Sequence, residues 1–175
     1  MNTKKIVFNE EKTKKVILEK PKRKRKVTQK DGWKEAVQEL ENLDNVSMET
    51  LVEKQDNGLK KIILQQIKSK IHSYANQDKE KKLFCPDKFV NLSDVVSLLK
   101  ECNFVCYYCK EETQLMYEYV REPKQWTLER LNNDFGHNND NVVISCLSCN
   151  LRRRTMASER YVQTKQIAKI VKLDN

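Results

Sequence analysis

Glycine and proline are scarce, with three of each in 175 residues. That excludes collagen-like and Pro/Gly-rich low-complexity chains, and it leaves few positions suited to positive-φ turns. Histidine is scarcer still, with two, so acid–base chemistry has few imidazoles to draw on. Hydrophobic residues make up 38% and aromatic ones 7%, a content low enough to leave part of the chain without a core. Long apolar runs are missing. Stretches such as Val142-Val143-Ile144 fall far short of the roughly 18 residues of a membrane span. The first thirty residues lack the apolar segment of about 7–15 residues that marks a secretory signal. The expectation is an intracellular protein, nuclear or cytoplasmic, neither secreted nor membrane-bound.

Charge is abundant, at 34% of residues with a net of +9. Its placement matters more than its sum. Residues 1–30 hold 12 Lys+Arg against 3 Asp+Glu, residues 31–145 hold 15 against 20, and residues 146–175 hold 7 against 2. Two basic ends therefore flank a mildly acidic middle. Such blocks point to a polyanion, most often nucleic acid, although a basic block can also be a merely solvated tail. The run Lys22, Arg23, Lys24, Arg25 and Lys26 follows Pro21. It suits phosphate contact, and it closely resembles the extended basic string that a nuclear import receptor accepts.

Local patterns divide the chain into a disordered basic arm (1–30), a helical unit with its linker (31–82) and a cysteine-bearing domain (83–175). Helical spacing predicts helices over 33–43, over Met48 to Gln55 behind the cap Ser47, and over Leu59 to Tyr74. His72 reads as an ordinary helix residue. Asn76 to Lys82 reads as a polar linker. Ser93 is placed to cap a helix over Asp94 to Glu101. Phe104-Val105-Cys106 reads as a strand. Leu115–Val120 and Trp126–Leu131 read as a hairpin turning near Glu122-Pro123, followed by a polar loop from Asn132 to Asn141. A short strand over Val142–Ile144 then leads into one basic helix running from Cys146 to about Lys172.

Four of the six cysteines form two C-x-x-C pairs, Cys106/Cys109 and Cys146/Cys149. In a reducing compartment such pairs read as metal ligands rather than disulfides. Two residues between thiolates let a tight turn aim both sulfurs at one tetrahedral Zn²⁺. Cys85 and Cys102 read as spare thiols. A knuckle, a hairpin and a second pair opening a helix is the order of a treble clef. The expected fold is therefore α+β: a small helical unit joined to a zinc-stabilised ββα domain.

The stretch Trp126-Thr127-Leu128-Glu129-Arg130-Leu131-Asn132-Asn133, then Gly136-His137, then Asp140-Asn141-Val142-Val143-Ile144-Ser145-Cys146, ending Cys149-Asn150-Leu151-Arg152-Arg153, resembles the four-cysteine members of the HNH (ββα-metal) endonuclease family over about residues 104–156. The resemblance implies a Mg²⁺ site with Glu129 and Asn150 as ligands, and Asn141 as the middle asparagine. Arg130 stands where the family carries its general-base histidine, and a guanidinium stays protonated at neutral pH. His137 is the alternative base. The Lys- and Asn-rich composition and the loop Asp134-Phe135-Gly136-His137-Asn138 are also similar to small zinc-finger, late-transcription-factor-like proteins of large cytoplasmic DNA viruses.

Three functions follow as expectations. The leading one is a transcription-factor-like zinc finger that holds nucleic acid, DNA rather than RNA, through Lys22–Lys26, Arg130, Arg152, Arg153 and Arg154 without cutting it. The second is a Mg²⁺-dependent endonuclease. The third is a protein-interaction zinc finger.

Overall fold

A computed structural model describes residues 22–41 and 58–167. Its elements run from a 3-10 turn, Lys26–Gln29, through α1 (Trp33–Glu41), α2 (Gly58–Glu80) and α3 (Leu92–Cys102). Then come β1 (Trp126–Arg130), β2 (Val142–Cys146), α4 (Leu147–Arg153) and α5 (Ser158–Ile167). The mixture of helices with a two-stranded sheet is α+β. The helix expected over Met48 to Gln55 lies outside the described residues, as do 1–21 of the basic arm.

Leu59, Ile63, Gln66 and Ile67 are buried along one stripe of α2, and Ile71 and Tyr74 extend it. The apolar pattern stops at Tyr74, but the helix runs to Glu80. The next residue on the same face, one turn on, is Asp78, which is fully buried with a partner of its own. The expected linker over 76–82 is thus largely helix. Asn91, rather than Ser93, starts α3. Its Oδ1 accepts the Asp94 N–H at 3.1 Å while Asp94 Oδ2 accepts the Asn91 N–H at 2.9 Å, a capping box. The helix ends in two left-handed residues, Asn103 (φ 45°) and Phe104 (φ 58°). That turn replaces the expected strand with a single bridge, Val105 to Glu112.

The hairpin differs from expectation as well. β1 pairs antiparallel with β2, from Trp126↔Cys146 to Arg130↔Val142, and not with residues 115–120. The backbone of that segment is already taken. Arg25 N–H donates to Glu118 O at 2.8 Å, Val120 N–H donates to Arg23 O at 2.9 Å, and Lys24 bridges Tyr119. Residues 22–30, expected in a disordered arm, are therefore seated on the body.

The basic C-terminal helix breaks at Arg154 (φ 54°) and resumes at Ser158. Arg153 turns inward at the break and donates to Met156 O at 2.6 Å.

Ala36, Leu59, Ile63 and Ile67 share one core with Val95, Leu99, Trp126, Leu128 and Ile144. The expected boundary near residue 82 thus falls within a continuous core. A second cluster joins Cys106, Tyr108, Cys146 and Cys149 to Tyr161 of α5, with the Tyr108 and Tyr161 rings edge to face at 4.9 Å. Among the described residues, no helix is long and apolar enough to cross a membrane.

Candidate metal centre and adjoining cleft

The four predicted cysteines converge, with all four sulfurs within 4.8 Å of one another. Local backbone explains how. Lys110, at φ 60°, closes the first knuckle, and its N–H reaches Cys106 O at 3.1 Å. The second pair straddles the junction of β2 and α4. There the Cys146 N–H points at Cys106 Sγ (3.2 Å) and the Cys149 N–H at Cys146 Sγ (3.4 Å). Backbone N–H groups aimed at sulfur are what thiolates in a metal site accept. A tetrahedral ion with metal–sulfur bonds of about 2.3 Å sets its sulfurs about 3.8 Å apart, and Cys109 and Cys146 stand at 3.9 Å. Hydrogen bonding to Cys146 and Cys149 holds the Cys106 thiol far below its usual range, while the same contact with Cys106 pushes Cys146 up to about 11. A bound cation would take the place of the protons shared among these sulfurs. The donor set therefore fits one metal ion, closed on all sides by thiolates. Cys85 and Cys102 lie outside the cluster as free thiols.

Beside this centre, α2, β1, α4 and the 131–141 loop enclose an open cleft of about 430 Å³. It brings together Glu129, Arg130, His137 and Asn150, together with Lys81 and Arg154. Asn141 is the fastener of the loop. Its Oδ1 accepts the Asn132 N–H at 2.9 Å, and its Nδ2 donates to Asn132 O and Gly136 O at 2.9 and 3.0 Å. Gly136 is required by close approach. A Cβ there would lie 2.5 Å from Leu83 O and 2.8 Å from Asp78 Oδ2. That space lets the loop descend onto α2, where the His137 N–H donates to Asp78 Oδ2 at 2.6 Å and His137 Nδ1 meets Asp78 Oδ1 at 2.9 Å.

Several expected roles change. Glu129, the expected Mg²⁺ ligand, is 5% exposed and ion-paired with Arg153 Nε. Burial pushes its carboxyl up, and Arg153 opposes that. Arg153, expected on phosphate, is 2% exposed and also donates to Arg130 O at 2.6 Å and Asn133 Oδ1 at 2.9 Å. Asn150 lines the cleft, and its Nδ2 donates to Thr127 Oγ1 at 3.3 Å, a bond that leaves the carbonyl Oδ1 free among the described residues. A cleft whose one carboxylate is neutralised by one arginine and neighboured by another does not fit a divalent cation.

The basic run is similarly divided. Arg25 donates to Gln66 Oε1 (2.7 Å) and Tyr117 O (3.1 Å), with its guanidinium 4.0 Å from the Tyr117 ring centre. Lys24 pairs with Glu118 at 3.1 Å. Lys22, Arg23 and Lys26 remain exposed, as do Arg152 and Arg154.

Asp78 and Lys81 lie beyond Tyr74, where the apolar pattern that marks α2 in the sequence stops. Their only signal was helical spacing, since Asp78 lies four residues beyond a core tyrosine. No protein-family model matches the chain, and neither does any curated protein or any solved structure.

Proposed function

We propose that the chain is a zinc-stabilised nucleic-acid-binding protein whose cleft receives the phosphate backbone, a role compatible with a transcription-factor-like task. The carrying observation is that Arg130, Arg154 and Lys81 line one open cleft, and none of them has a salt-bridge partner among the described residues. Guanidinium groups left without carboxylates suit phosphate oxygens through charge-assisted hydrogen bonds. Arg130 is held in place for this, because its Nη1 donates to Asn133 O (3.1 Å) and Phe135 O (2.9 Å). Zinc in the cysteine tetrad fixes α4, one of the cleft's walls, and β2, the strand paired with the β1 wall. With four thiolates it has no open position, so its task is structural. Arg152, Lys22, Arg23 and Lys26 are further exposed cations.

Binding is then mainly electrostatic. Its test is a salt titration of the full chain on duplex DNA, where each neutralised phosphate contributes a log–log slope of about −0.9. The double variant Arg130→Ala/Arg154→Ala should weaken binding and flatten that slope by roughly one to two contacts. Full-length protein with no salt-sensitive affinity for any nucleic acid would end this reading.

A further inference from the structure

His137 is the one imidazole in the cleft, and its surroundings are not those of a simple core residue. Nδ1 is held by Asp78 Oδ1 at 2.9 Å, and Asp78 is 0% exposed. The Tyr74 ring lies 4.4 Å from the imidazole, fixing its plane. Among the described residues Nε2 has no hydrogen-bond partner, yet it is not one of the enclosed, unsatisfied polar atoms, and the residue lines the cleft. A carboxylate on one nitrogen selects the tautomer that leaves a lone pair on the other. That is the arrangement of a base aimed at a ligand. Phe135, 57% exposed, belongs to the same loop as His137 and offers a face on which an unpaired base can stack.

We propose that the cleft cleaves single-stranded RNA by internal transesterification, with His137 as the general base and Arg130 as the phosphate clamp. This rests on the nucleic-acid reading above and names its substrate. A nucleophile carried by the substrate suits this cleft, because it is held next to the phosphorus it attacks and needs only the imidazole to take its proton. The 2′-hydroxyl gives its proton to His137 Nε2, and its oxygen attacks the adjacent phosphorus. The P–O5′ bond breaks, and the O5′ leaving group takes a proton from the Lys81 ammonium. Lys81 regains a proton from water, and the hydroxide so formed takes the proton from His137, which returns the site to its starting state. The products are a 2′,3′-cyclic phosphate and a 5′-hydroxyl. Asp78 acts through His137 and is a positioning residue.

Burial lowers the His137 pKa, against the pull of Asp78 and with help from Arg130 and Lys81, the charged groups that face it. The imidazole is then neutral, and able to accept a proton, at neutral pH. Cleavage should rise with pH through a midpoint below the usual imidazole value of about 6.5 and then level off.

The experiment uses zinc-replete full-length protein, no added Mg²⁺, an end-labelled single-stranded RNA and DNA of the same sequence. The expected result is RNA cut to cyclic-phosphate ends, with the DNA bound and intact. His137→Ala and His137→Gln should each lose cleavage by about 100-fold or more while keeping RNA affinity and zinc content. RNA bound but uncut by the wild type overturns the cleavage proposal and leaves the binding reading standing. Cleavage that survives both His137 variants, or DNA cutting that appears only with Mg²⁺, overturns it too. Failure to bind either polymer at low salt removes both readings together.

Discussion

The cysteine tetrad and the cleft beside it share α4 but are held in opposite ways. The tetrad is built from two local knuckles whose four sulfurs share hydrogen bonds and are placed to hold one cation. The cleft is built from side chains far apart in sequence that come paired, Asp78 with His137 and Glu129 with Arg153. Its walls need no ion. The difference teaches that one fold can hold two polar centres of different dependence. One is built to depend on a metal ion, and the other rests on a buried ion pair and a buried carboxylate–imidazole hydrogen bond that are costly to break but free of any ligand.

Removing the metal should have the largest effect. Zinc binding to small cysteine sites is worth about 10–16 kcal/mol, comparable with the whole stability of an ordinary domain. Because Ile144 sits in the main core and Cys146 in the second cluster, the loss spreads along β2. Chelation, or Cys149→Ser, should collapse the ordered amide signals of residues 104–167 and expose them to protease. An apo protein with an unchanged amide spectrum would show that the tetrad is not what holds this half together.

Breaking the buried ion pair should come next. Arg153→Met leaves the Glu129 carboxylate buried and alone, at about 3–5 kcal/mol. The double variant Glu129→Leu/Arg153→Met removes both charges and should recover part of that. Recovery stays incomplete, because Arg153 also serves Arg130 O, Asn133 Oδ1 and Met156 O, which then lose their donor. Urea unfolding of Arg153→Met, Glu129→Leu and the double variant measures the coupling. Strict additivity of the two single changes would mean the pair does not act as a unit.

The two centres also differ in how much of each could be read beforehand. The tetrad was fully legible, because its ligands lie two residues apart and thiolate geometry admits few alternatives. The main helices were legible from their stripes, except where a stripe changes chemistry. At Asp78 a buried carboxylate replaces a buried alkyl group, and periodicity counted on apolar residues ends the helix early. The strand pairing was hidden for a different reason. Leu115–Val120 has strand composition, but residues 23–25 occupy its backbone, and such competition between distant segments leaves no trace in local pattern. Arg153 looked like its neighbours Arg152 and Arg154. Only the fold reveals that the middle arginine of three turns inward to a carboxylate 24 positions away.

The smallest effect expected is a pH dependence that separates the centres. Both weaken in acid, the tetrad because protons compete with metal for thiolates, the cleft because of His137. For the histidine the sign follows from linkage. Its folded pKa is lowered by burial while the unfolded value stays at about 6.5. The unfolded chain therefore binds more protons in the window just below pH 6.5, and stability falls as pH drops through it. His137→Gln keeps an amide donor for Asp78 but cannot titrate, so it removes this component alone. Thermal unfolding midpoints of wild type and His137→Gln, measured from pH 7.5 down to about 5.5 with zinc present, should diverge with the wild type losing more. Parallel curves would assign the whole acid response to the metal centre and leave His137 without a part in it.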